Sequence, residues 1–256
     1  MSLKRRLASF ANRLLAPLGA KVDRAIDRTR LDEALQAAVA KGLAPRTVID
    51  VGVAYGTPEL YAAFPTAQLM LIEPLREWEP GMRELAEKRG ARYVIAAAGA
   101  TPGTAVMNVP RVLGWATMGE TAHDVAKREV RLTTVDEQVA EQRLVGPFVL
   151  KVDVEGFEPA VLAGAADTLP QCDAVILETW LDGSFTPLVA TMAEYGFVAH
   201  DLFEFGYRAS DGVLTKVDVM FVKAGGPLRE TVSRDNDALS IEESELRHQG
   251  KVHRAE

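Results

Sequence analysis

Five short, nearly uninterrupted apolar runs, most of them separated by stretches of helical character, set the tightest limit on what this chain can fold into. They cover residues 47–51, 69–73, 93–96, 148–153 and 174–178, and are rich in valine, isoleucine and leucine. A strand with one wet face alternates apolar and polar side chains, whereas a strand that is apolar throughout is covered on both faces. Helical segments over 58–64, 78–89 and 159–166 occupy gaps between the runs. This alternation predicts a doubly wound α/β fold whose mostly parallel sheet carries helices on both sides. Two later runs, 196–202 and 217–222, lie close together without a clear helix between them. They predict an antiparallel pair at one edge, which brings the sheet to seven strands.

The chain has 256 residues, of which 48% are hydrophobic, enough for one large domain with terminal additions. The expected division is a helical extension over 1–42, an α/β domain over 43–224 and a polar, flexible tail over 225–256. Within the extension, Leu3, Leu7, Phe10, Leu14 and Leu18 recur at helical spacing, and Lys4, Arg5, Arg6 and Arg13 fall mostly off that stripe. Such a helix packs on the domain or on a second copy in a homodimer; the sharper alternative is peripheral membrane contact through residues 1–18. A second helix is expected over 30–41, stopped by Gly42. Residues 101–131 read as a less regular insertion, with a hairpin or loop near Pro102 and Gly103, placed where a lid would sit. A net charge of -7 argues against nucleic acid as the main partner. The single cysteine, Cys172, forms no internal disulfide and reads as structural. No apolar run reaches the ~20 residues of a transmembrane segment, and the expected location is the cytoplasm.

Two constellations carry chemistry. In the first, Asp50, Gly52 and Gly56 follow a strand and precede a helix, and Glu73 ends the next strand. In a doubly wound sheet, the carboxyl ends of adjacent strands line one crevice. The Gly-x-x-x-Gly spacing differs from the dinucleotide and P-loop patterns that cradle phosphates. It suits an adenosine cofactor held through its ribose hydroxyls by an acid. In the second, Lys151, Asp153, Glu155 and Glu158 crowd the end of the 148–153 strand. Charges inside an apolar region are costly unless paired or used; an ion-pair cluster stitching strand to helix is the plain structural alternative.

The segment from Lys151 to Gly156, followed by Val161-Leu162-Ala163-Gly164-Ala165, resembles the signature of the FkbM family of methyltransferases. Thr133, Thr134, Asp136 and Glu137 resemble that family's Thr-Leu-Asp segment, the Asp50–Gly56 loop its cofactor loop, and Ile72-Glu73-Pro74 its Phe-Glu-Pro. The resemblance runs from about residue 47 to 178. It implies a Rossmann-like class I methyltransferase with S-adenosyl-L-methionine as donor, usually acting on oxygen. Carried over by position, Asp50, Gly52, Gly56 and Glu73 would bind the cofactor, and Asp153 and Glu155 would line the reaction centre. The loop departs from the family where Val53-Ala54-Tyr55 stands in place of a common Ala-Asn followed by a variable position. The implied acceptor is a sugar, glycan or secondary-metabolite hydroxyl.

Methyl transfer needs an aligned acceptor and a group that removes its proton. Asp153 is the first candidate base and Glu155 the second. Glu178 and Asp182 are placed to face the same pocket, and His123 and His200 are alternative bases. Trp115, Trp180 and Tyr207 are candidates for the acceptor wall, with packing as the plainer role. Carboxylates suit a divalent metal, but nothing in the spacing demands one and none is predicted. The competing functions are a non-catalytic binding module on the same fold and an NAD-dependent oxidoreductase.

Overall fold

Val48, Ile49 and Val51 present side chains to both faces of one strand, and burial of all of them requires a layer of helices on each side. That is the arrangement in the computed structural model, which describes residues 28–110, 116–118 and 125–230. Strand β1 (Thr47–Val51) and strand β7 (Phe148–Val152) are buried at every position. The main sheet has seven strands in the order β3-β2-β1-β7-β8-β10-β9. It includes β2 (Gln68–Glu73), β3 (Arg92–Ile95), β8 (Cys172–Trp180), β9 (Phe197–Tyr207) and β10 (Leu214–Lys223). Neighbours from β3 to β8 run parallel; β10 is antiparallel to both β8 and β9. The doubly wound architecture and its antiparallel edge pair are as the sequence predicts, with β9 and β10 both longer than their apolar runs.

Helices α1 (Leu31–Ala40), α2 (Pro58–Ala63) and α3 (Glu79–Arg89) cover one face. There Leu35, Leu60 and Met82 pack on Val48, Leu71, Val149 and Ile176. Helices α4 (Val135–Glu141), α5 (Glu158–Ala163) and α6 (Phe185–Glu194) cover the other, with Val135, Val161 and Met192 against Ile49, Leu150, Leu177 and Phe221. Each fully buried side chain of this size contributes roughly 1.5–3 kcal/mol. The buried face of α1 makes it part of the domain core rather than a separate extension. It stops where expected, at Gly42, whose φ is 101°. At the far end, Leu228 is buried in the same core and Arg229 donates to the Ala199 carbonyl at 2.6 Å, so the first tail residues are docked.

Asp136, from the Thr-Leu-Asp segment, is a strap. Its carboxylate accepts from the Thr168 amide at 2.9 Å, the Thr168 hydroxyl at 2.6 Å and the Asp167 amide at 3.0 Å, tying α4 to the turn after α5. Thr134 caps α4 by accepting from the Glu137 amide at 2.9 Å.

The insertion differs from expectation. β4 (Ala97–Ala98), β5 (Gly103–Val109) and β6 (Ala126–Thr133) form a second sheet in the order β4-β6-β5, with β5 and β6 paired antiparallel. Its inner face buries Met107, Val109 and Val130 with Leu75 and Ala97 in a small core of its own. The strand pattern is thin in sequence because β6 is half-covered, and its exposed positions are Ala126, Lys127, Arg128, Glu129 and Arg131. No helix among the described residues is long and apolar enough to cross a membrane. The expected amphipathic helix over 1–18, Trp115, His123 and residues 231–256 lie outside the described residues.

Candidate functional site

The site is built at the carboxyl ends of β1, β2, β7 and β8. At the end of β1 the chain turns away at Gly52, whose φ is 81° and whose amide donates to the Ile72 carbonyl at 2.9 Å. Beside it the Asp153 amide donates to the Val51 carbonyl at 3.0 Å. The two backbones lie so close that a Cβ on Gly52 would sit 1.8 Å from the Asp153 carbonyl oxygen. Glycine is therefore required at position 52 both for its dihedral and for this approach.

Glu73 is almost fully buried and joins two loops. One carboxylate oxygen accepts from the Ala54 amide at 3.0 Å, the other from the Leu75 amide at 2.9 Å. Burial raises its pKa, against those two amide bonds. Each oxygen keeps a further acceptor direction. Asp50 has no exposed surface. One of its oxygens accepts from the Thr57 hydroxyl at 2.9 Å and the Tyr61 hydroxyl at 2.6 Å. The other has no hydrogen bond and faces the Lys151 ammonium at 4.0 Å.

Lys151 is itself buried and donates to Asp153 at 2.9 Å. Burial alone would lower its pKa; Asp50, Asp153 and Asp218 outweigh that and raise it. On the neighbouring strands Glu178 and Asp218 are register partners, and Lys216 donates to Glu178 at 2.6 Å. Asp218 is 5% exposed, and one of its oxygens is buried without a hydrogen bond. Asp153, Glu155 and Glu178 bring carboxylate oxygens within 4.8 Å of one another. Two of the three are already held by ammonium groups, Asp153 by Lys151 and Glu178 by Lys216.

Two cavities flank this cluster. The smaller, about 80 Å³, is lined by Gly52, Glu73, Leu75, Trp78, Asp153 and Glu155, among others. The larger, about 420 Å³, lies between the second sheet and the end of the β9–β10 pair, with Thr117, Glu155, Trp180, Tyr207 and Lys216 on its wall. Glu155 lines both. It holds a φ of 51°, uncommon for a residue with a side chain, and its carbonyl accepts from the Thr117 hydroxyl at 2.8 Å. Burial, then Asp153, raises its pKa.

Of the residues singled out from sequence, Gly52, Glu73, Asp153 and Glu155 meet at the smaller cavity, and Trp180 and Tyr207 reach the larger. Asp50 and Gly56 line neither. Asp50 lies beneath the loop and fixes it through Thr57 and Tyr61; Gly56 supplies a left-handed turn at φ 86°. The Asp50 carboxylate is enclosed because the strand that carries it is covered on both faces. Asp182 is exposed and accepts from Ser184 at the start of α6, and His200 is half-buried on β9 away from both cavities. Cys172 is buried, its thiol pushed up to about 12 by burial. Glu158 folds back to accept from the Gly156 amide at 2.9 Å at the start of its own helix. Sequence reasoning missed Asp218, although an acid inside the apolar run of β10 is the same signal that marked Lys151. It also missed Trp78.

The buried acids make stability depend on pH. Burial pushes Glu178 up to about 7, with Asp153 adding to it, and Asp218 up to about 6, with Lys151 pulling the other way. Asp50, Glu73 and Glu155 are raised as well, in each case first by burial. A carboxyl raised above its unfolded pKa contributes stability at pH below the unfolded value and loses it as pH rises through the folded one. His200, lowered by burial and then by Lys41, acts in the opposite sense, while Lys151 and Lys216 are raised and stay charged. The protein is expected to be more stable near pH ~5.5 than near pH ~8, with the loss steepest around ~5–6 and complete above ~7. Urea midpoints across that range measure it, and a midpoint that climbs with pH would contradict the assignment.

Comparison with known proteins adds the family. No curated protein matches the chain. Among solved structures, similar folds include a precorrin-6y C5,15-methyltransferase from Geobacter metallireducens GS-15, at 9% identity and TM-score 0.43, covering 80% of this chain and 93% of that one. A putative RNA methyltransferase from Pyrococcus horikoshii shows 13% identity and TM-score 0.42 over 75% and 84% of the two chains. TrmK of M. capricolum, solved with S-adenosyl-homocysteine, shows 11% identity and TM-score 0.43 over 81% and 73%. At these scores the likeness adds nothing to the family assignment. The methyltransferase FkbM domain matches residues 50–199, which span the glycine loop, Glu73, the insertion sheet, the Lys151–Glu158 segment and the start of β9. The chain belongs to the FkbM family of S-adenosylmethionine-dependent methyltransferases.

Proposed function

We propose that the protein transfers a methyl group to a hydroxyl oxygen of a small-molecule or glycan acceptor, with the cofactor in the smaller cavity and the acceptor in the larger. The observation that carries this reading is Glu155, which lines both cavities. When bound, S-adenosylmethionine supplies an electrophilic methyl on a sulfonium. Transfer of that methyl to the acceptor oxygen would release S-adenosylhomocysteine and the hydroxyl proton, and the Glu155 carboxylate would take the proton. A carboxyl raised by burial is a better base than a solvated one. Asp153, held by Lys151, borders the cofactor cavity beside Glu155. Glu73 accepts from the ribose hydroxyls through the directions its two amide bonds leave open. Trp180 and Tyr207, 41% and 63% exposed, give the acceptor an apolar surface to lie on.

Isothermal titration with S-adenosylhomocysteine is the direct test. Micromolar binding is expected, weakened in Glu73→Ala by roughly tenfold or more, since a charged acceptor bond is worth about 1.5–3 kcal/mol. An unchanged affinity would remove Glu73 from the ribose site. Once a hydroxyl acceptor is found by S-adenosylhomocysteine release, Glu155→Gln is expected to lower kcat by roughly 10²–10⁴-fold at unchanged cofactor affinity. Should Glu155→Gln keep full turnover while Asp153→Asn loses it, the base is Asp153. Binding without transfer to any acceptor would favour a non-catalytic module.

A further inference from the structure

We infer that Tyr55 and Trp78 form an aromatic clasp over the cofactor cavity, and that the Trp78 indole is the surface on which the cofactor's adenine ring stacks. The inference rests on the proposed cofactor site. Tyr55 stands in the glycine loop between Gly52 and Gly56. Tyr55 is 77% exposed, an unusual place for a large aromatic residue. It meets Trp78 edge-on, with ring centroids 4.2 Å apart and planes inclined by 61°. Trp78 closes the 3₁₀ turn Arg76–Trp78 that follows Glu73, Pro74 and Leu75. One part of the indole packs on the small core of the second sheet; another lines the smaller cavity.

The two segments that carry these rings are the same two that Glu73 joins from below, through the Ala54 and Leu75 amides. The cavity thus has the Glu73 carboxylate and Trp78 in its wall, and Tyr55 meets Trp78 from outside that lining. A ribose held at Glu73 places its attached base beside the indole. Tyr55 holds that indole in place, and an edge-on pair of this kind is worth about 0.5–1.5 kcal/mol.

The test is titration of the full chain with S-adenosylhomocysteine and, separately, with adenosine. Base–aromatic stacking is worth roughly 1–3 kcal/mol per base. Trp78→Ala is therefore expected to weaken both ligands by the same factor, about tenfold or more, and Trp78→Phe to stay within about threefold. Tyr55→Ala is expected to weaken both a few-fold, and to cost nothing further when added to Trp78→Ala. Trp78→Phe also guards against a folding defect, and in it the quenching of indole emission by S-adenosylhomocysteine should disappear. If Trp78→Ala binds like the parent while Glu73→Ala is weakened, the clasp is wrong and the cofactor site stands. A loss for S-adenosylhomocysteine but not for adenosine would overturn the adenine assignment. Failure of the parent chain to bind either ligand at millimolar concentration would remove the cofactor site, and the clasp with it.

Discussion

Gly52→Ala is expected to abolish S-adenosylhomocysteine binding and to lower the melting temperature by on the order of 10 °C. Two costs add. The backbone at position 52 has φ 81°, where a side chain costs roughly 1–2 kcal/mol. The new Cβ would also stand 1.8 Å from the Asp153 carbonyl oxygen and 2.8 Å from its carbonyl carbon. Both contacts are backbone, fixed by the β1–β7 ladder, so relief has to come from spreading the two strand ends at a further ~1–3 kcal/mol. In a domain of this size each kcal/mol moves the melting temperature by about 2–4 °C. The binding loss follows because Gly52 and Asp153 both line the smaller cavity. Gly90→Ala separates the two costs. Its φ is 65° but a Cβ there meets nothing within 4 Å, so it should lose a few degrees and leave binding untouched. A Gly52→Ala variant that melts and binds like Gly90→Ala would show that the strand ends are not held together as described.

Lys151→Met is expected to destabilise the protein by about 3–5 kcal/mol at pH ~8, the usual cost of removing one partner from a buried ion pair. Lys151 is the only cation beside the fully buried Asp50 carboxylate among the described ion pairs, and it also offsets Asp218. Both acids already lie above their ordinary range because of burial, and Lys151 is the foremost influence pulling each back. Without it their folded pKa values rise further. Stability from such groups is present below the unfolded carboxyl pKa and lost as pH rises through the folded value. The deficit should therefore shrink markedly towards pH ~5, and Asp50→Asn added to Lys151→Met should recover part of it at pH ~8. Denaturant unfolding of the three proteins at both pH values decides. A deficit that is flat with pH would mean that lost packing of the lysine stem, rather than unpaired charge, carries the cost.

The fold was legible because its signals are local. Continuous apolar runs at β1, β2, β7 and β8 mark strands covered on both faces, and helical stretches in the gaps between most of them imply parallel order. The glycine loop and Glu73 were legible for the same reason, since a strand, a turn and a strand-terminal acid occupy one short stretch. The second sheet was harder to read. β6 alternates only weakly, most of its outer positions are charged, and its pairing with Ala97 and Ala98 joins residues 35 apart in the chain.

What tertiary structure alone decided is which of the acids touch what. Asp50 and Lys151 are register partners on strands a hundred residues apart, and Glu178 and Asp218 are partners on β8 and β10. Nothing in the chain near Asp50 shows that a lysine will face it, or that Thr57 and Tyr61 will claim its other oxygen. The same holds for Glu155, whose place between two cavities depends on where the second sheet and the β9–β10 pair come to rest, and for Trp78 against Tyr55. Periodicity and turn chemistry are written in neighbouring residues, so the sequence determined the layers, the strand ends and the candidate acids. Division of those acids into a cavity wall, a base and a buried ion-pair network depends on strand register and on side chains meeting across the sheet, which are non-local quantities that only packing fixes.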